Sequence, residues 1–102
     1  MVIISKTRLR HYWKRHPSAE PSLREWYLRT RRAEWKSVAE VRGDFPAVDF
    51  VRASSGNQLA VFDIAHNRFR LISSVWFRAK RVYVLRLFSH AEYDRKDWKS
   101  QL

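Results

Sequence analysis

The stretch Asn67-Arg68-Phe69-Arg70-Leu71-Ile72-Ser73-Ser74-Val75-Trp76-Phe77 decides the fold. From Arg68 to Phe77 its side chains alternate. Phe69, Leu71, Val75 and Phe77 fall on one side of an extended chain, and Arg68, Arg70, Ile72, Ser74 and Trp76 on the other. The first side predicts core. The second sets two arginines two residues apart on one face, where their guanidinium groups can converge on a phosphate. Arg78-Ala79-Lys80 then reads as a basic turn, with Lys80 a candidate contact for a polyanion. Arg81 to Phe88 predicts the returning strand, with Val82, Val84, Arg86 and Phe88 on one face and Tyr83, Leu85 and Leu87 on the other. Arg86 in so apolar a strand predicts a cleft, because an unpaired buried charge is costly.

Working back from this hairpin, Gln58 to Ile64 predicts a strand entering through the turn Ala65-His66-Asn67. Asp49 to Ala53 predicts another, ahead of the turn cluster Ser54-Ser55-Gly56-Asn57. Earlier still the period becomes helical. Leu9, Tyr12, Trp13 and His16 form one stripe, capped by Ser5 or Thr7 and stopped by Pro17. Ser22-Leu23-Arg24-Glu25 reads as a capping box opening a second helix, with Leu23, Trp26, Tyr27 and Thr30 inward and Arg24, Arg29, Arg31 and Arg32 outward. Ser37-Val38-Ala39-Glu40 opens a third, short one. Lys36, in the connector before it, is a further candidate for contact with a ligand. With a brief strand at Val2-Ile3-Ile4, the order predicts an α+β fold in one domain, 1–102. Helices cover one face of an antiparallel sheet, the other face stays partly open, and a short terminal helix is pinned by Trp98.

Composition narrows the function. Lys and Arg number 21 against 10 Asp and Glu, a net charge of +11 on 102 residues, which points to a polyanionic partner. The excess is at both ends: +7 over residues 1–36, −2 over 37–66 and +6 over 67–102. With no Cys there is no disulfide framework and no thiolate zinc site. No apolar run approaches the roughly 20 residues of a membrane span, so no membrane partner is expected and a cytoplasmic location is the default. Chemistry gathers instead after the last strand, where His90, Glu92, Tyr93 and Asp94 place an imidazole, two carboxylates and a phenol within five residues.

Five segments, in this order, resemble the HigB family of toxins: Trp13-Lys14-Arg15-His16-Pro17, Leu23-Arg24-Glu25-Trp26-Tyr27, Ala33-Glu34-Trp35-Lys36-Ser37, Asn67-Arg68-Phe69-Arg70-Leu71-Ile72 and His90-Ala91-Glu92-Tyr93-Asp94. The resemblance implies a RelE-like microbial ribonuclease fold. It also implies cleavage of messenger RNA, usually on the translating ribosome, and neutralisation by a HigA-like helix-turn-helix antitoxin, with DNA reached only indirectly through the antitoxin complex. Arg70 matches the strand arginine that contacts the scissile phosphate in RelE-like toxins, and His90 and Tyr93 match positions near the family's catalytic groups. One departure stands out. The family commonly has Gly-Gly-Asn where this chain has Ala65-His66-Asn67, which reshapes the turn and brings a new imidazole, His66, near the cleft.

Cleavage through a ribose 2′-OH needs a base for that hydroxyl, charge stabilisation at phosphorus and an acid for the departing 5′ oxygen. Histidine suits either proton task, since imidazole titrates near neutrality. Arginine suits the charge: Arg70, with Arg68 or Arg86, would hold the developing anion. Tyr93 is expected to orient the nucleotide or donate a proton; Glu92 is a possible base, though a carboxylate at a helix start more often serves the helix dipole, the duty expected of it and of Asp94. His11, His16, His66 and His90 lack metal-ligand spacing, and the chemistry calls for no cofactor. The competing reading is a non-catalytic RNA- or ribosome-binding module, for which charge and aromatics suffice.

Overall fold

A computed structural model describes residues 1–102. In chain order the elements are β1 (Val2–Ile4), α1 (Lys6–Arg15), a 3-10 turn over Pro17–Ala19, α2 (Glu20–Arg32) and α3 (Val38–Asp44). Then come β2 (Asp49–Arg52), β3 (Gln58–Ile64), β4 (Phe69–Trp76), β5 (Arg81–Ser89), α4 (His90–Asp94) and a closing 3-10 turn over Asp97–Ser100. The fold is α+β, as the order of periodicities predicts. Five strands form one sheet in the order β1-β5-β4-β3-β2. The four later strands make an antiparallel meander. β1 departs from the expected antiparallel pattern and pairs with β5 in parallel, Val2 opposite Arg81 and Ile4 opposite Tyr83. The helices between β1 and β2 carry the chain back over one face, so β1 takes the free edge beside β5 and satisfies backbone groups that would otherwise lie bare.

The helical layer rests on that face because three stripes meet there. Leu9 of α1, Leu23 and Trp26 of α2 and Val41 of α3 bury against Phe62, Leu71, Val82, Val84 and Leu87 of the sheet. Phe62 is the hub: Trp26 and Phe45 meet it edge-on at 5.5 and 5.1 Å between ring centroids. Such contacts add about 0.5–1.5 kcal/mol each beyond burial. The Trp35 indole N–H donates to the Asp44 carboxylate at 2.7 Å, fixing the connector that carries Lys36.

Two helix starts differ from expectation. α2 begins at Glu20, so Ser22 sits inside its first turn and is not the cap. The preceding 3-10 turn feeds straight into the helix, and Pro21 is tolerated in the first turn because its missing N–H has no partner to lose. Ser5 flanks α1 in a left-handed conformation (φ 75°) without a side-chain cap bond, so neither it nor Thr7, which lies inside the helix, acts as expected. At α3 the expectation holds in part. Ser37 caps the helix, accepting the Glu40 N–H at 3.3 Å, while the Glu40 carboxylate accepts from the Lys36 N–H rather than that of Ser37.

The other face of the sheet is less open than predicted. A second core of Ala53, Leu59, Val61, Ile72 and Trp98 forms there, with Trp98 only 3 % exposed. The segment after β5 therefore straps back across the strands. β5 also breaks its own alternation. Ile72 lies opposite Arg86 but Ser73 lies opposite Val84, so Leu85 is an extra residue, a β-bulge. Beyond it the faces swap: Val82, Val84 and Leu87 point to the helices, whereas Tyr83 and, past the bulge, Arg86 and Phe88 lie on the strapped face. The expected grouping of Arg86 with Val82 and Val84 is thus corrected by one inserted residue, which turns a charge away from the helical core.

Candidate functional site

Arg70 stands on β4 directly opposite Asp63 on β3, and its Nε lies 3.1 Å from the Asp63 carboxylate. Its Nη1 donates to the carbonyls of Asn67 and Phe69 at 3.0 and 3.3 Å. Three anchors fix the guanidinium plane. What remains is Nη2, which lies 3.4 Å from His90 Nδ1. The side chain is largely buried, at 13 % exposure, so one strongly held cation presents a single free corner to solvent.

The histidine comes to that corner because β5 ends there. Ser89 caps α4 in a complete capping box: its hydroxyl accepts the Glu92 N–H at 3.2 Å, and the Glu92 carboxylate accepts the Ser89 N–H at 2.9 Å. That bond, chiefly, holds the Glu92 carboxyl below its ordinary pKa. Glu92 thus serves the helix start, as its position predicts. Asp94 does not. One turn after His90, its carboxylate lies 3.0 Å from His90 Nε2, which leaves Nδ1 turned to Arg70. Tyr93, half-buried, stacks on Trp98 at 5.3 Å and lies beside the Arg70 guanidinium, 5.7 Å from ring to carbon. Burial, with Asp49, Asp63 and Asp94 adding to it and Arg70 opposing, raises the phenol pKa above its ordinary value.

So Arg70, His90 and Tyr93 meet, from one strand and one helix twenty residues on. The other predicted contacts divide. Arg68 is exposed beside the cluster, and its carbonyl accepts the His90 N–H at 3.0 Å. Arg86 is on the same face as Arg70, one diagonal step away, with its Nη1 folded back 2.8 Å from the Leu85 carbonyl. His66 lines a recess with Ser22, Glu25 and Arg29 of α2 and with Asp63, the partner of Arg70. Lys36 lies among Glu34, Glu40 and Asp44 at the α2–α3 connector. Lys80 sits in the turn at the far end of the β4–β5 hairpin, roughly 20 Å along the strand from Arg70 at ~3.3 Å per residue.

The cluster is a solvent-facing surface, not a cavity. The best-enclosed groove, about 490 Å³, lies instead between α1 and α2 against Leu9, Trp13, Tyr27 and Leu28. No three His, Asp or Glu side chains converge as a metal-binding group. Sequence reading missed Asp63 and undervalued Asp94. The available signal for Asp63 was a carboxylate on the otherwise apolar Leu59-Val61 side of β3. For Asp94 it was the i, i+4 spacing from His90.

The model of the HigB toxins, the RelE-like toxic component of a toxin-antitoxin system, matches residues 19–96. The chain belongs to the HigB toxin family. It is also 30% identical over 95 residues to the mRNA interferase HigB of Escherichia coli O6:H1, spanning 93% of this chain and 90% of that one. The family match runs from the turn before α2 to just past α4, so it takes in every member of the Arg70, His90 and Tyr93 cluster. Ala65 and His66, in the turn before β4, both adopt the left-handed backbone that glycine favours, at φ 53° and 54°. Holding non-glycine residues in that conformation strains the turn. No helix is long and apolar enough to cross a membrane.

Proposed function

We propose that this HigB toxin is a ribonuclease that cuts messenger RNA on the translating ribosome, through the ribose 2′-OH and without a metal ion, and that a HigA-like antitoxin restrains it. The observation that carries this reading is the free Nη2 corner of Arg70 set between an imidazole nitrogen and a phenol. Asp94 accepts from His90 Nε2, so Nδ1 is the nitrogen available to take the 2′-OH proton, with Asp94 as its orienting partner. As the 2′ oxygen bonds to phosphorus, charge builds on the phosphoryl oxygens, where Arg70 meets it already immobilised and needs no reorganisation. The bond to the 5′ oxygen then breaks and that oxygen takes a proton from Tyr93. A phenol is protonated at neutral pH and the upward shift keeps it so, while the departing 5′ alkoxide is more basic than a phenolate and can take its proton. The products are a 2′,3′-cyclic phosphate and a 5′-hydroxyl end.

The test is 5′-end mapping of transcripts after induced expression, beside an Arg70→Ala variant shown by circular dichroism to be folded. New 5′-hydroxyl ends should accompany growth arrest by the natural protein and vanish in the variant. Growth arrest without new ends would favour the non-catalytic ribosome-binding reading, and a folded, toxic Arg70→Ala protein would remove Arg70 from the mechanism.

A further inference from the structure

β1 ends opposite Tyr83, so the outer edge of β5 beyond that point has no strand beside it. The bulge at Leu85 lies on this bare edge. Three donors converge on the Leu85 carbonyl oxygen: Arg86 Nη1 at 2.8 Å, Arg8 Nη1 at 3.2 Å and the Tyr12 hydroxyl at 3.3 Å. Arg8 also reaches the Val84 carbonyl at 3.0 Å. Two guanidinium nitrogens sharing one oxygen at these distances lie within about 6 Å of each other.

Neither arginine has a carboxylate partner, whereas Arg24, Arg29 and Arg70 all do. Two like charges are thus held together by backbone carbonyls alone, with most of their ten N–H donors unspent. An anion seated between them would relieve the repulsion and use those donors. Arg86 is a diagonal neighbour of Arg70 on the sheet, about 7–8 Å away for such a pair, within the reach of an extended strand held at Arg70.

We propose that Arg8, Arg86 and Tyr12 form a second subsite, for a backbone phosphate of the same RNA strand flanking the one held at Arg70. This rests on the nuclease reading. It assigns Arg8 and Tyr12, from α1, to substrate placement without a part in bond breaking.

The test uses Arg8→Gln and Arg86→Gln, which keep an amide donor for the carbonyls, with Arg42→Gln as a charge-matched control. Binding to a short single-stranded RNA lacking 2′-OH groups is titrated at several salt concentrations, and cleavage of a 2′-OH substrate is followed alongside. Each of the two variants should weaken binding about tenfold and lower the slope of log affinity against log salt by about one, with melting temperatures preserved. The control should change neither. Unchanged affinity and slope in folded variants would overturn the subsite while leaving cleavage, and so the nuclease reading, intact. A loss seen only in ribosome co-sedimentation would overturn it in favour of a ribosomal RNA contact. A natural protein that binds no RNA and cuts no messenger RNA on programmed ribosomes would remove the nuclease reading itself.

Discussion

Replacing Tyr93 by Phe removes one hydroxyl and leaves the ring stacked on Trp98, so the change separates proton donation from packing. Cleavage by Tyr93→Phe should fall about 100-fold or more, the usual worth of a positioned acid, with the melting temperature held. Single-turnover assays beside thermal denaturation would check both; an equally active variant would make Tyr93 an orienting aromatic only. Strain at the preceding turn gives a second prediction. A left-handed non-glycine residue costs roughly 1–2 kcal/mol, part of which glycine returns through its freer unfolded chain, so Ala65→Gly should stabilise by about 0.5–1 kcal/mol. Urea denaturation midpoints would show it. Arg70 was legible because two arginines on one face of an otherwise core-facing strand are unusual. Its partner Asp63 was not, since the pairing depends on strand register. Arg8 on the β5 edge was illegible for the same reason: the contact spans 77 residues and exists only once α1 lies along β5.

α4 is five residues long, too short to hold itself, so its caps and its tether decide whether His90 and Tyr93 stay in place. Ser89→Ala should cost about 1 kcal/mol, as N-cap losses do. The Glu92 carboxyl is held below its ordinary pKa of 4.5 in the folded chain, so the open helix binds more protons than the capped one. Its stabilisation is therefore complete above 4.5 and is lost as pH falls through the lowered value. Amide protection across α4, taken relative to the unstructured chain at the same pH, should fall in that acid window, and Glu92→Gln should remove that pH dependence. The tether is Trp98, whose indole N–H donates to the Tyr93 carbonyl at 3.0 Å. Trp98→Ala should cost about 3–5 kcal/mol by cavity formation and loosen Tyr93, lowering melting temperature and activity together. Alternation placed every strand to within a residue or two, yet could not reveal the bulge. One extra residue leaves the local pattern apolar while exchanging the faces beyond it, and only the partner strand shows where the count slips.

At the scale of the molecule, the two basic ends of the sequence are brought together: α1, from the first, lies along β5, from the second, and the acidic middle supplies Asp63 beneath Arg70. That arrangement was only half visible beforehand, because charge blocks can be counted in a sequence but their meeting depends on β1 joining β5. The same parallel pair has a consequence for how the protein comes to exist. Val2–Ile4 precedes its partner Arg81–Tyr83 by nearly the full span of the fold, so during synthesis this strand has nothing to pair with until β5 has emerged. Sheet closure and the arrival of His90 then fall at almost the same moment, and a nascent chain short of β5 carries no working cluster. Pulse-labelled amide exchange during refolding should show Ile3 and Ile4 gaining protection in the same phase as Val82 and Val84, later than the α1–α2 hairpin. Early, independent protection of β1 would dissociate the two events.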